Sequence, residues 1–565
     1  MRKAKILLRY AKKFLCVLFI IFLPCFSSAA FCGGRSGAPD IHGPKISELS
    51  LIIISNPDAQ IMAAEAGELD IMGDIARPSD IDRLAENKEL AMSTARGFHA
   101  FFLLLNNKKS PWDSAVLRRA AAMSIDRSSI VRMIFSGYCE PINSWLPPVS
   151  PWAPAASAAD IYDPQAAREL LKKNGYSWTL SGRLTAPNGS EVPPMKLLTP
   201  LARVAPTTAE LAQIIADSLS VIGISAETEP IDFSVMINRL DRKDYSMAVL
   251  AWGMGRNPDS LYSFYHSSMD FEGGYNMTGI SDARLDKALE ALRAAPDEET
   301  AHEASAEAQR ILAELMPSVP IYSRLSVAAV SKEWKNIFTT DSITADNMWT
   351  LLGAEPADGK DRPLRMLLAE EPRNLNPFTA SSAYSWQVLG LIYESLLTTN
   401  PYTLENCDAI ASSWEVKTAG EGKERHTELL FRIKEGLTWS DGSPLSARDL
   451  KATIDFLRRN KIPRFFDAVK NIKKTETPDD HTLRIVMDGV SYWYLDNAAS
   501  LPAIPAAVIE KIKDWQRWDP LAEDGKTGPH GLIGSGPFIL KSYRPGEYLM
   551  FEKNPHYRLL GGGGR

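Results

Sequence analysis

Few of the residue types that do covalent or metal chemistry are grouped in this sequence. Eight histidines are scattered along 565 residues. None forms an HExxH or other paired-ligand spacing that would hold a catalytic metal. The stretch GSGP at 534–537 lacks the first glycine of a nucleophile elbow. GMGRNP at 253–258 fails the dinucleotide fingerprint, which needs a third glycine opening a helix. The neighbouring carboxylates Asp479 and Asp480 sit in a polar turn, where solvation explains them. Of five cysteines, Cys16 and Cys25 lie in an apolar N-terminal stretch. That leaves Cys32, Cys139 and Cys407, an odd set without metal-type spacing that allows one pair in an oxidising compartment. No enzyme activity, metal or cofactor is therefore expected. The net charge of -6, with no dense basic run, argues against nucleic acid as a partner.

The elements that would position a binding site are easier to read. The length exceeds one ordinary core, and 45% hydrophobic with 23% charged residues is a globular composition. Arg2, Lys3, Lys5, Arg9, Lys12 and Lys13 precede the apolar run Phe14 to Leu23, and Ser27 to Ala30 are small. This pattern predicts a secretory signal over residues 1–30 and an exported, periplasmic protein. An uncleaved anchor, or lipidation at Cys25 or Cys32, is the alternative. Pro24 and Phe31 precede those cysteines unfavourably. Short apolar runs at 49–54, 69–75, 98–106 and 319–330 predict buried strands. Helical spacing predicts helices over 58–68, 113–137, 207–222 and 282–295, and from 296 to Met316. Residues 144–158 are Pro- and Trp-rich loop, and 353–363 (GAEPADGKDRP) has linker composition. Strands and helices alternate, so the fold class is α/β. No internal repeat is visible.

Particular motifs carry a resemblance. NLNPF at 374–378, LIYESLLTTNPYTLE at 391–405, IASSWEV at 410–416, LLFRIKEGLTWSDGSPLSARDL at 429–450, GSGPFIL at 534–540 and FEKNPHY at 551–557 resemble the N-terminal half of the family 5 extracellular solute-binding proteins. These are the peptide- and nickel-binding components of ABC importers. The stretches at 43–71, 103–131, 163–178, 276–286 and 311–324 resemble the C-terminal half of the same family. The halves stand in reversed order. The family's ending, near Trp349, runs through the linker into its beginning, near Leu364, and its middle is interrupted between Tyr557 and Gly43. The expectation is a circular permutation, the alternative a fragment of a tandem or misassembled gene. An exposed hairpin tip is a place where a chain tolerates such a cut.

The resemblance implies a two-lobed, class II binding-protein fold with an extra domain, circularly permuted. Lobe I would take 31–104, 326–387 with the linker, and 501–565. Lobe II would be 105–325, and the extra domain 388–500. It implies a monomer that closes on a small-molecule or peptide ligand and docks on an inner-membrane permease. A receptor's ligand-sensing partner, a periplasmic chaperone, or a carrier of a nickel chelate or oligosaccharide are the alternatives. The family's ligand-facing loop matches LAWGMGRNPDSLYSFYHSS at 250–268, with Trp252 as a wall. Relatives that bind a peptide ammonium carry an Asp where this chain has Gly255. Asp259 is the nearest substitute, and Arg256 would suit a ligand carboxylate. Each also fits a plain loop role. Tyr384, Ser385 and Trp386 match a stretch that approaches the cleft in relatives, or else pack a helix. Phe465 and Phe466 are weaker cleft candidates. For GSGP a tight turn is expected.

Overall fold

The computed structural model describes residues 38–154, 162–203, 205–522 and 531–560. The expected signal segment and Cys32 lie outside them. One eleven-stranded sheet organises the protein. Its strands in chain order are β1 (Glu48–Ile53), β2 (Ile71–Met72), β3 (Leu90–Leu105), β4 (Cys139–Pro141), β5 (Met195–Pro200), β6 (Ala226–Ile231), β7 (Met247–Gly253), β8 (Ser318–Ser331), β9 (Leu364–Leu368), β10 (Phe538–Arg544) and β11 (Tyr548–Lys553). Across the sheet they run β10-β11-β1-β9-β2-β8-β3-β7-β5-β6, with β4 on β8.

The apolar run at 49–54 is continuous because β1 is covered on both faces. Leu49 and Leu51 enter one core cluster, while Ile52 and Ile54 pack on another. The same alternation divides β8. Ala328 and Val330 face the first cluster, Val327 and Ala329 the second, and Val319 and Ile321 belong to a third built from residues 100–322 with Trp493. The chain therefore has two large cores, with β8 running from one into the other and β3 running from the first into the smaller cluster beside the second. A separate four-stranded sheet (411–419, 426–433, 472–479 and 482–487) shares the core of β1 and β9 through Leu429, Phe431, Leu483 and Ile485.

Three expectations need correction. The helix expected over 113–137 is two, Ala115–Met123 and Arg127–Phe135. Asp126 caps the second by accepting from Ser129 N at 2.9 Å, and this ends the helical run. The strand expected over 69–75 shortens to β2. The segment 353–363 is not a loose tether. Glu355–Pro356 pairs with Trp334–Lys335, and Arg362 bridges Glu333 and Asp358.

The segments before and after 353–363 are built into each other. β9 lies between β1 and β2, parallel to both, and β11 pairs antiparallel with β1 in the register Leu49↔Phe551 and Leu51↔Leu549. Asp70 ties this arrangement together. Its carboxylate is 2% exposed and accepts from Arg365 N (2.8 Å), Nε (3.0 Å) and Nη2 (2.8 Å). Asp70→Ala leaves the Arg365 donors without this acceptor. The expected cost is about 2–4 kcal/mol, discounted because Arg365 is partly exposed. Urea unfolding checks it, and an unchanged midpoint would remove Asp70 from the framework.

Candidate functional site

The register of β8 locates the cleft. β7 runs alongside β3 toward Gly253, which stands opposite His99, one residue from the Ser323↔Ala100 pair. β2 approaches from the other core, antiparallel to β8, passing Val330 and then Ala329. Carboxyl ends of strands from both cores thus point at the same stretch of β3 and β8, around Arg324. β5 and β6 run parallel with β7, and β1 and β9 with β2. In open α/β sheets, the crevice beyond the carboxyl ends of strands is where ligands sit.

At that stretch the two long strands bend. The β3–β8 pairing jumps from Ser323↔Ala100 to Leu325↔Arg96, so three residues of β3 oppose one of β8. Ser323 Oγ holds the irregular backbone by donating toward Gly97 O and His99 O at 3.1 and 3.2 Å. A Cβ on Gly97 would lie 2.3 Å from Arg324 O, so only glycine fits.

Polar groups collect there. Arg324 pairs with Asp74, which follows β2 with φ +55°, a left-handed conformation that is costly for aspartate. Burial, and secondarily Arg324, pushes the His99 imidazole below its usual range, favouring its neutral form at neutral pH. Tyr384 stands in the first turn of the helix Ala383–Ile392. Burial raises its hydroxyl above the ordinary range, with Glu370 and Asp74 adding to the effect.

Trp252 stands at the end of β7, half-buried, with Phe264 at 4.7 Å and Tyr275 at 6.3 Å between ring centroids. Gly255 is exposed at the loop tip. Arg256 does not present a free guanidinium. It reaches the other core, where Nη1 donates to Leu404 O (2.5 Å) and Nη2 to Asn406 Oδ1 (2.8 Å) and Asp496 Oδ1 (2.7 Å). Asn257 adds a bond to Asp496 Oδ2 at 2.6 Å. Leu404 offers its carbonyl from φ +59°, a further strained position. Asp259 is held by Arg293, with contacts of 2.9 and 3.1 Å. It cannot serve an ammonium without giving that up.

Tyr384, Ser385 and Trp386 divide between cleft and core. Ser385 is fully buried, and its Oγ has no partner. Trp386 donates to Ala380 O at 2.9 Å and packs edge-on against the buried Phe465. Its other surface lines a cavity of about 270 Å³ with Trp349, Tyr393 and Tyr557. A second cavity of about 360 Å³ adjoins it through Ser395, Thr398 and Ser500, and its polar walls include Arg256, Asn257 and Asp496. GSGP is more than a turn. A Cβ on Gly534 would lie 1.9 Å from Ile392 O, and one on Gly536 would lie 2.5 Å from Leu391 O. Sequence reasoning missed Asp74, His99, Arg324, Glu370, Tyr275 and Asp496. Each takes its place through partners distant in the chain, which local pattern does not encode.

The fold and crevice are those of a two-lobed binding protein. The profile of the bacterial extracellular solute-binding proteins, family 5 Middle, matches residues 40–272 and 408–565, more than half of the chain, and the protein belongs to that family. Di/tripeptide-binding protein 1 of Pseudomonas aeruginosa (strain UCBPP-PA14) is 27% identical over 276 residues, covering 48% of this chain and 49% of that protein. The dipeptide-binding protein of Escherichia coli K12 is 23% identical over 290 residues, covering 51% and 52%. The chain thus spans about half the length of the curated relatives it matches. Among solved structures, the oligopeptide-binding protein AppA from Bacillus subtilis, in complex with a nonapeptide, aligns at 19% identity and TM-score 0.46, covering 54% of this chain and 59% of that one. Among the described residues no helix is long and apolar enough to cross a membrane.

The Arg256–Asp496 bridge joins the Trp252 loop to the opposite core. Asp496→Asn should weaken it by about 1–2 kcal/mol, since both side chains are only 19% exposed. Small-angle scattering of the ligand-free protein should then register a larger radius of gyration. A profile identical to wild type would deny the bridge any part in holding the lobes together.

Proposed function

We propose that the protein captures a small ligand, an oligopeptide first of all, in the periplasm and delivers it to an ABC importer permease. The observation that carries this reading is the convergence of strand ends from both cores on the bend of β3 and β8. Two bodies joined by two bent strands can hinge, and a ligand lodged between them favours the closed form only by binding it better. On this reading Trp252, Arg256, Tyr384 and Trp386 belong to the ligand site. Gly255 opens the loop tip, and Asp259 and Ser385 take supporting places. Family membership supports the transport role. Purified protein should carry a ligand that mass spectrometry of the denatured sample identifies. Peptide pools should raise the melting temperature of refolded protein. A preparation that melts cooperatively but responds to no peptide would turn the reading toward another small solute.

We infer further that the order of the halves is a circular permutation within one working protein. Gly43 N donates to Leu559 O at 3.0 Å and Lys553 N to Ser47 O at 3.2 Å, so the interrupted family middle is bridged by direct contact. The pairing of β1 with β11 supports the same reading. Cutting the chain once between residues 356 and 361 should leave two pieces that stay associated and bind ligand. Pieces that separate, each soluble and inactive, would favour the tandem-fragment alternative.

A further inference from the structure

The charged side chains around the Trp252 loop already have partners inside the protein. Arg256 is held by Asp496, Asp259 by Arg293, and Asp270 by Lys108 and Lys243. Glu272 lies 3.8 Å from Arg242. At the carboxyl end of β7 the loop presents rings instead. Trp252, Phe264 and Tyr275 pack at mutual angles of 43°, 75° and 79°, with centroids 4.7 to 6.3 Å apart. That spacing leaves no room for a cation between them, so the three act as one wall, with Tyr275 outermost at 54% exposed.

A single exposed aromatic is ordinary. What distinguishes Tyr275 is how firmly it is presented. Asn276, fully buried, donates to His266 O and Ile280 O at 3.2 and 3.0 Å. A Cβ on Gly274 would lie 2.2 Å from Met269 O, and Gly273 has φ +86°. Asp270 anchors the start of the segment through its two lysines. A ring carried on a fixed backbone has less conformational freedom to lose when a ligand covers it.

We propose that this wall receives an uncharged, bulky apolar side chain of the ligand, and that Tyr275 sets the preference. This rests on the peptide-capture reading above. Calorimetry with Ala-Ala-Ala, Ala-Phe-Ala and Ala-Lys-Ala, each free and N-acetylated, tests it against wild type, Tyr275→Ala and Tyr275→Phe. Wild type should favour the Phe peptide over the Ala peptide roughly tenfold, from the apolar area covered. The Lys peptide should gain nothing, and acetylation should cost at most about threefold, because no carboxylate of the loop is free for an ammonium. Tyr275→Phe should keep the preference. Tyr275→Ala should erase it, bringing the Phe-peptide affinity down to that of the Ala peptide, with the melting temperature close to wild type. A preference that survives in Tyr275→Ala, or binding that acetylation abolishes, overturns the proposal. N-acetylphenylalaninamide and N-acetylalaninamide separate the two levels. If every peptide fails but the aromatic amide still binds through Tyr275, the peptide reading falls and the wall stands. If the amides also bind equally or not at all, the wall falls too.

Discussion

The close approach of Gly97 to the carbonyl of Arg324 governs the molecule. β8 is common to both large cores and β3 pairs with it along most of its length, so a side chain at Gly97 would drive the two apart at the point where they bend. The bend lets one sheet serve two bodies. Its three-against-one mismatch interrupts the ladder locally without disturbing either core. The same mismatch turns His99 and Arg324 toward the ends of β2 and β7. Geometry and polar chemistry therefore arise from a single irregularity.

Around that bend the charges are arranged to be satisfied internally. Arg256 and Asp496 meet across the cores, Arg293 covers Asp259, and Asp270 takes two lysines. Groups that sequence alone would offer to a ligand are turned to holding the walls. What the loop leaves for recognition is ring surface.

The fold class and the family were legible because both are written locally. A buried parallel strand needs apolar residues on both faces, and SLIIIS supplies them. Binding-protein motifs such as LTWSDGSPLSARDL are contiguous, so they are legible whatever order the halves take. The end of β7 at Trp252 was legible for the same reason. The helix break at Asp126 was also present locally, in an aspartate followed three residues later by Ser129, but the apolar spacing of Leu117, Ala121 and Ile125 concealed it. The partners of Arg256 and Asp259 were not legible. Asp496 is 240 residues from Arg256, and nothing in either neighbourhood specifies that they meet. Asp74 is still less visible, because its role depends on where β2 ends against β8.

The two buried cysteines bear on how the protein can be watched. Cys139 lies on β4 directly opposite Arg324, and Cys407 sits beside Asn406, which accepts from Arg256. Burial pushes their thiols up to about 12 and about 11, so neither reacts readily at neutral pH while covered. Each becomes reactive only when its own surroundings open. Reaction at Cys139 would report opening beside Arg324, and reaction at Cys407 would report opening beside Asn406, without a foreign label.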